Sequence, residues 1–526
     1  MESSSGKENF LKSIALRHWG GDATMVQPFF VLYVVAIATV LYLGAKITYN
    51  LWFHPLSKFP GPVLGRSTYG DSLAPSVDDS MLQLTNNIGN TTVPALSDTK
   101  APGPVVRISP NELSFASVES WKAIYGHQPA GTPTPIKSEF YSIYGAGFRS
   151  LCIGSERDPK KHAQMRKMLS AAFATKALVE QEAIITNVVD KFIGRIGVDG
   201  APQCTGGINM TKWYEMVSFD ILGEMAFGES FGCIETGKPH FWSELIVSHL
   251  YLITLVDNLR RLPMVVALTK LCFPSILAVR NKNSEYSRRQ VEKRLENKSA
   301  RKDFLSTVVK NFEEGTISKE EMTAHVSTLT IAGGETVSTC LAATTYYLLK
   351  NPRCMEKLQQ EITTRFSSWQ EITGLAARQL PYLQAVINEG LRIYPPGSQG
   401  FPRLSPGMYV GDDWVPPGTE VYTSAWSVTH SEKYFSEPMA FKPERWLDSE
   451  TEDVREASQP FSLGTRGCLG QNFAYMEMNL ILAKMLWKYD LALVNPELDW
   501  EGQSHMHVMW WKPSLMVRFR ERTRDQ

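Results

Sequence analysis

The sequence predicts a mainly α-helical protein with a small β-rich lobe, preceded by one N-terminal transmembrane helix. Three observations carry that prediction. An uncharged run fills residues 29–45 (FFVLYVVAIATVLYLGA), a period-2 alternation appears around 105–115, and long segments of period 3.6 dominate from about residue 155 onward. The chain has 526 residues, 43% hydrophobic and 21% charged, which is enough apolar side chain for a large core around a buried ligand. Lys plus Arg equals Asp plus Glu, 54 against 54, so no global positive field draws the chain to nucleic acid, and no nucleic-acid partner is expected.

The apolar run extends on both sides toward the roughly 20 residues needed to span a bilayer, so an anchor is expected over 29–48 behind a tail of 1–28. A cleaved signal peptide fits less well, because the run is long for such a segment, begins late and lacks a small-x-small cleavage site after it. Cations flank it on both sides (Lys7, Lys12 and Arg17 before, Lys46, Lys58 and Arg66 after), so charge does not set its orientation. Tyr49 and Trp52 belong at the headgroup level. Residues 49–62 contain HPLSKFPGP, whose prolines make a stiff extended connector to a globular body at 63–526. Within that body VVRISPNELSF (105–115) reads as two strands around a Pro-Asn turn. The apolar stretch 239–280 is interrupted by Asp257, Arg260, Arg261 and Lys270, so core or membrane-dipping helices are expected there, not a second span.

Seven cysteines (Cys152, Cys204, Cys233, Cys272, Cys340, Cys354 and Cys468) are scattered without a C-x-x-C pair. Neither a zinc site nor a disulfide framework follows, and free thiols fit a reducing compartment. One cysteine stands apart. Phe461-Ser462-Leu463-Gly464-Thr465-Arg466-Gly467-Cys468-Leu469-Gly470 leads into a helical run marked by Phe473, Met476, Leu480, Ala483 and Trp487. A loop thus carries Cys468 to a helix N-terminus, where the dipole and unpaired N–H groups favour a thiolate. The three glycines allow a tight turn and close approach to a flat ligand.

The pattern F-x-x-G-x-R-x-C-x-G at 461–470 resembles the haem-binding loop of the cytochromes P-450. Its five specified positions arise by accident in about one chain of this length in ten thousand at ordinary residue frequencies. The resemblance implies the cytochrome P-450 fold and haem b, with Cys468 as metal ligand through its thiolate and with Phe461, Arg466 and Gly470 also cofactor-binding, Arg466 through a propionate.

Other segments resemble the same family in the same order. TIAGGETVS (330–338) lies in a helical pattern from about 318 to 350, where Gly333 and Gly334 each cost about 1 kcal/mol relative to Ala unless something local compensates, such as a groove for dioxygen. By resemblance this is the oxygen-activating helix, with Thr336 hydrogen-bonding dioxygen and Glu335 feeding protons as the two catalytic residues. Glu389 and Arg392 share a helix face, and with Arg445 of the following FKPERW segment they resemble a buried structural charge network. His162 and Arg166, four apart, resemble a helix that contacts haem propionates, although many relatives carry Trp at the His162 position. Arg403 stands where another propionate-binding arginine is frequent. Lys160, Lys161 and Lys167 form either a docking patch for an acidic electron donor or a solvated face.

The resemblance spans roughly residues 55–520 and is nearest to microsomal enzymes of fungal secondary metabolism. It implies a membrane-bound monooxygenase of the endoplasmic reticulum, single-pass, with its catalytic domain on the cytosolic face. Electrons come from NADPH through a separate flavoprotein reductase, since the chain has no G-x-G-x-x-G fingerprint of its own. Dioxygen and a hydrophobic small molecule are the substrates, the latter a terpenoid, polyketide or alkaloid, because the segments at 112–150, 239–285 and after Pro396 are apolar. Two alternatives stay open: a haem-thiolate rearrangement or dehydration enzyme without external oxygen, and a membrane-tethered haem sensor. Labelled-oxygen incorporation separates the first, and substrate-stimulated NADPH oxidation the second.

Overall fold

The computed structural model describes residues 23–68, 104–144, 147–204, 206–260, 274–296 and 303–523. Tail residues 1–22 with Lys7, Lys12 and Arg17, and the stretch 261–273 with Arg261, Lys270 and Cys272, lie outside the described residues.

The N-terminal helix runs Ala23–Thr48 and continues as a π-helical turn at Tyr49–Phe53. Among the described residues one helix, Phe30–Phe53, is long and apolar enough to cross a membrane, with mean hydropathy 2.1 and no burial against the body. At 1.5 Å per residue it reaches about 36 Å, against a hydrocarbon core of about 30 Å. Helical geometry outlasts the expected start of the connector at residue 49 because the first proline comes only at Pro55; His54 is already extended, with φ −68° and ψ 142°.

The connector is bolted to the body. Leu56 and Phe59 are buried in one apolar cluster with Val105, Leu113, Phe115, Val410 and Val415. Fully buried Arg107 donates to the carbonyls of Asn50 (2.8 Å) and Pro110 (2.7 Å), and its own N–H reaches Pro60 O at 2.7 Å.

Val105–Ser109 and Glu112–Phe115 form the antiparallel pair expected around the Pro110-Asn111 turn. The second of these pairs in parallel with Glu420–Thr423, which lies beside Arg403–Leu404, which in turn lies beside Ile136–Lys137. This five-stranded sheet joins segments hundreds of residues apart, and its last pairing sets Lys137 directly opposite Arg403.

Helices make up the rest of the core. The long helix Lys319–Lys350 is capped by the Ser318 hydroxyl, which accepts from Glu321 N, and ends before Pro352. It crosses Met210–Phe227, a helix buried nearly all round, and contacts Pro381–Ile393 and Gln471–Lys488 as well. The helix Phe241–Arg260 buries Trp242, Ile246, Leu250 and Ile253 as an inward stripe, so this part of the 239–280 stretch is core.

Candidate active site

Between the long helix and the cysteine loop lies a mainly apolar cavity of about 340 Å³. Cys468 and Gly470 border it from the loop, Ala332, Gly333 and Thr336 from the helix.

The loop shape follows from its backbone. Gly464 has φ +66°, and a Cβ there would stand 2.3 Å from Tyr125 O, so both conformation and space demand glycine. A short 3₁₀ turn, Gly464–Arg466, follows, and Cys468 N donates to Phe461 O at 2.8 Å. Cys468 lies deep in the protein, yet its side chain is open because it faces the cavity. Burial pushes its thiol up, opposed by the Gly470 backbone and by Arg166. In the protein alone desolvation therefore outweighs the helix-terminal effect, and bonding to a cation is what makes the thiolate the stable form.

A cluster of basic residues lines the same cavity: Lys137, His162, Arg166, Arg403 and Arg466. Arg166 donates to Gly467 O at 2.6 Å and so holds the residue before the cysteine. Arg466 donates to the carbonyls of Glu156 (3.2 Å) and Arg157 (3.0 Å), and Arg403 to the Tyr141 hydroxyl at 2.8 Å. Lys137 Nζ donates to Ile153 O and Gly154 O, each at 2.7 Å. Burial, then Arg466 and Arg403, hold the Lys137 ammonium well below its ordinary value. Burial first, then Lys137 and three arginines, brings His162 down to about 3, and burial with Arg403 lowers Arg466 to about 10. Among the described residues no carboxylate lines this cavity, although Glu156 and Asp158 lie close enough to act on Arg466. Three arginines and Lys137, with His162 an uncharged imidazole beside them, crowd positive charge at one end of the cavity, and a flat apolar ligand with carboxylates at one edge fits it.

Thr336 faces the cavity, its hydroxyl donating back to Ala332 O at 2.8 Å. Glu335 does not. One step of about 100° along the helix turns it toward Lys512, with which it makes a close ion pair, and toward a separate cavity of about 30 Å³ that it shares with Glu215. Lys512 Nζ lies 3.1 Å from Thr339 Oγ1 and 3.6 Å from Glu215. Burial raises the Glu335 carboxyl against the pull of Lys512. Gly333 also gains a plainer reason than an oxygen groove: a Cβ there would meet Leu222 Cδ2 at 2.9 Å, so the residue lets the long helix lie close to Leu222.

Glu389, Arg392 and Arg445 come together in a fully enclosed network. Arg392 donates to both Glu389 oxygens (2.9 and 2.8 Å) and to the carbonyls of Thr429, Pro438 and Ala440. Arg445 reaches Glu389 at 3.2 Å and pairs closely with Asp453; Trp446 Nε1 and Lys442 N complete the shell of Glu389, each at 2.9 Å. Lys160, Lys161 and Lys167 are exposed on the helix Pro159–Ser170.

Sequence reasoning missed Lys137, Tyr141, Asp453, Trp446, Glu215 and Lys512. Trp446, beside Arg445 in FKPERW, had a local signal; the others meet partners only through the fold.

The cytochrome P-450 family model matches residues 100–518. This chain belongs to the cytochrome P-450 family. It is 57% identical over 487 residues to cytochrome P-450 monooxygenase ORF9 of Penicillium roqueforti, covering 93% of each chain. Cytochrome P-450 monooxygenase BOT4 of Botryotinia fuckeliana is 54% identical over 473 residues, 90% of this chain and 88% of the relative. A cytochrome P-450 monooxygenase of Stereocaulon alpinum is 34% identical over 494 residues, 93% and 95% respectively. The protein is accordingly an oxidoreductase of the monooxygenase class, and the family implies a haem-thiolate centre, a redox partner, dioxygen and an apolar substrate. The cavity suits that group: an open sulfur at its wall, crowded cations at its edge, apolar surface between.

Proposed function

We propose that this cytochrome P-450 is a microsomal monooxygenase of fungal secondary metabolism that inserts one atom of dioxygen into a hydrophobic scaffold such as a terpenoid, polyketide or alkaloid. It uses haem b and electrons drawn from NADPH through a separate flavoprotein reductase. In this reading residues 29–48 anchor the chain in the endoplasmic reticulum membrane behind the tail 1–28, 49–62 hold the body close, and 63–526 form the catalytic domain on the cytosolic face. The observation that carries it is one apolar cavity bordered by both the Cys468 sulfur and the Thr336 hydroxyl.

Bound there, haem supplies the reductive activation of dioxygen. The chain's own residues do the rest. Cys468 is the iron ligand, and Phe461, Gly467 and Gly470 shape the loop that presents it. Arg166, His162, Arg403 and Arg466 take up the propionates, joined by Lys137. Thr336 offers a hydroxyl beside the reacting position, while Glu335 is the proton reservoir behind it, paired with Lys512 and bordering the small cavity it shares with Glu215 and Lys212. Leu222, Leu250, Phe304 and Leu329 keep water from the substrate.

A buried ammonium facing an anion contributes about 1.5–3 kcal/mol. Lys137→Met should therefore weaken haem retention by at least about ten-fold, read as transfer of haem to an excess of an apo-haem acceptor; unchanged transfer would remove Lys137 from the site. The test of the whole reading is oxygen labelling. With reductase, NADPH and ¹⁸O₂, a converted terpenoid, polyketide or alkaloid scaffold should carry one labelled atom. Conversion that needs neither NADPH nor dioxygen would assign the rearrangement or dehydration chemistry instead.

A further inference from the structure

Five electron-rich rings run in contact from the cavity wall toward the surface. Trp510 follows Met509, which lines the cavity, and its indole N–H donates at 2.9 Å to the carbonyl of Pro395, the residue before cavity-lining Pro396. Tyr394 stacks on Trp510 with ring centroids 4.4 Å apart, and Trp500 lies 5.7 Å beyond. Tyr346 stacks on Trp500 at 5.3 Å, and Tyr347 follows at 5.2 Å. All are buried, yet they come from separate segments: the strand Met509–Trp511, the end of the helix Pro381–Ile393, the turn at Trp500 and the long helix. Packing alone is served as well by Phe or Leu, but each of these rings is Trp or Tyr, the side chains that give up an electron most readily. The phenols differ in what receives their proton. Tyr394 donates to the Ser504 hydroxyl at 2.7 Å and Tyr346 to Leu498 O at 2.9 Å, whereas Tyr347 donates to the Glu501 carboxylate at 2.5 Å. Glu501 is partly exposed and adjoins exposed Gly502, so the series ends near solvent.

We propose that these rings form a relay that carries oxidising equivalents out of the cavity when no substrate is there to take them, with Tyr347 as its terminus. The proposal rests on the reading of a haem oxidant formed in this cavity. Trp510 gives an electron to that oxidant, Tyr394 refills Trp510, Trp500 refills Tyr394, and Tyr346 and Tyr347 continue the sequence outward. Tyr347 is left one electron short, and its phenolic proton passes to Glu501. A phenol sheds its proton as it loses an electron, so a base in contact makes Tyr347 the place where the deficit settles; Tyr394 and Tyr346 lack one and pass it on. Burial raises the Glu501 carboxyl, which strengthens it as the acceptor. A one-electron donor of the ascorbate class then restores Tyr347, which takes its proton back from Glu501. Two such transfers and two protons from solvent reduce the oxidant by two electrons, its oxygen atom leaving as water, and no side chain is consumed. Tyr141 lines the cavity but does not serve. Arg403 donates to its oxygen at 2.8 Å and Lys137 Nζ stands 4.9 Å from its ring, and positive charge so placed opposes the loss of an electron.

The test uses the full-length, haem-loaded, substrate-free chain, mixed with cumene hydroperoxide to form the oxidant and frozen within the first turnover. Electron paramagnetic resonance should show a tyrosyl radical in the wild type. Tyr347→Phe removes one hydroxyl and should abolish that signal. Tyr394→Phe breaks the series while keeping the ring, with Ser504 still bonded to Trp500 O, and should abolish it too. Glu501→Gln keeps the shape but not the base, so the tyrosyl signal should give way to that of a tryptophan radical. Trp426→Phe alters a ring beside Tyr394 and Trp510 that leads no further outward, and should leave the signal intact. Equal haem content and CO spectra show that each variant keeps the fold and the site. In the first three variants haem should bleach faster than in the wild type, and the protection that ascorbate gives the wild type should be lost. A tyrosyl signal that persists in Tyr347→Phe, or wild-type haem that bleaches without one, overturns the relay and leaves the haem site standing. A wild-type chain that takes up no haem overturns the relay and the reading of the cavity together.

Discussion

Cys468→Ala should give a folded protein that has lost, completely, the strongly red-shifted Soret band that the reduced, CO-treated wild type shows. The band requires thiolate sulfur on iron, and Cys468 is the cysteine that the loop opens to the cavity. The loop does not depend on the sulfur. Its form comes from Gly464 at positive φ, from Cys468 N bonded to Phe461 O, and from Arg166 on Gly467 O, all of which alanine preserves. Cys340 also borders the cavity, but its side chain is buried in the long helix with Sγ 3.8 Å from Thr344 Oγ1, whereas Cys468 is exposed to the cavity. Cys340→Ala should keep the band. A wild-type CO spectrum of the ordinary imidazole kind, or a band that persists in Cys468→Ala, would end the haem-thiolate assignment. Circular dichroism on both variants separates loss of the ligand from loss of the fold.

Glu389→Ala should be among the most damaging single changes in the chain, at about 3–5 kcal/mol, the range for breaking a buried charge pair by removing one member. Arg392 suffers most. Its guanidinium is fully buried, and with Glu389 gone only the carbonyls of Thr429, Pro438 and Ala440 remain, which satisfy hydrogen bonds but not charge. Arg445 keeps Asp453, so the loss there is partial. Against a total stability of about 5–15 kcal/mol, the variant should unfold at markedly lower urea or accumulate without haem. The control is Lys293→Ala, which breaks an exposed ion pair with Glu229 and should move the midpoint by an amount equivalent to less than about 1 kcal/mol. Equal midpoints for the two variants would mean that the enclosed network is not a keystone of this fold.

The helices, the strand pair at 105–115 and the elements of the charge network are readable along the chain because each rests on local spacing: a period, a cap, an i to i+3 pair. The Cys468 loop is readable for the same reason, since the ten residues 461–470 hold the glycines and the Phe461–Cys468 backbone bond that turn the chain and present sulfur. Lys137 is different. It sits in a two-residue strand with no pattern of its own, and its meaning appears only when that strand pairs with Arg403, far along the chain. The Glu335–Lys512 pair likewise joins the long helix to the residue that follows the strand Met509–Trp511 near the C-terminus. Sequence reasoning grouped Glu335 with Thr336 because they are adjacent, but adjacent residues on a helix point about 100° apart, and the packing decided which of them sees the cavity.

Motif resemblance was therefore sufficient for the family and for the cysteine proposed as metal ligand, and periodicity for a helix long and apolar enough to cross a membrane. Only the folded chain decided the crowding of charge around the cavity and the place of Lys137 in it, the partner of Glu335 and the reason for Gly333. The physical reason is range. Backbone conformation and thiolate placement are set within a few residues, whereas electrostatic surroundings and close packing are sums over neighbours that the chain brings together from hundreds of residues away.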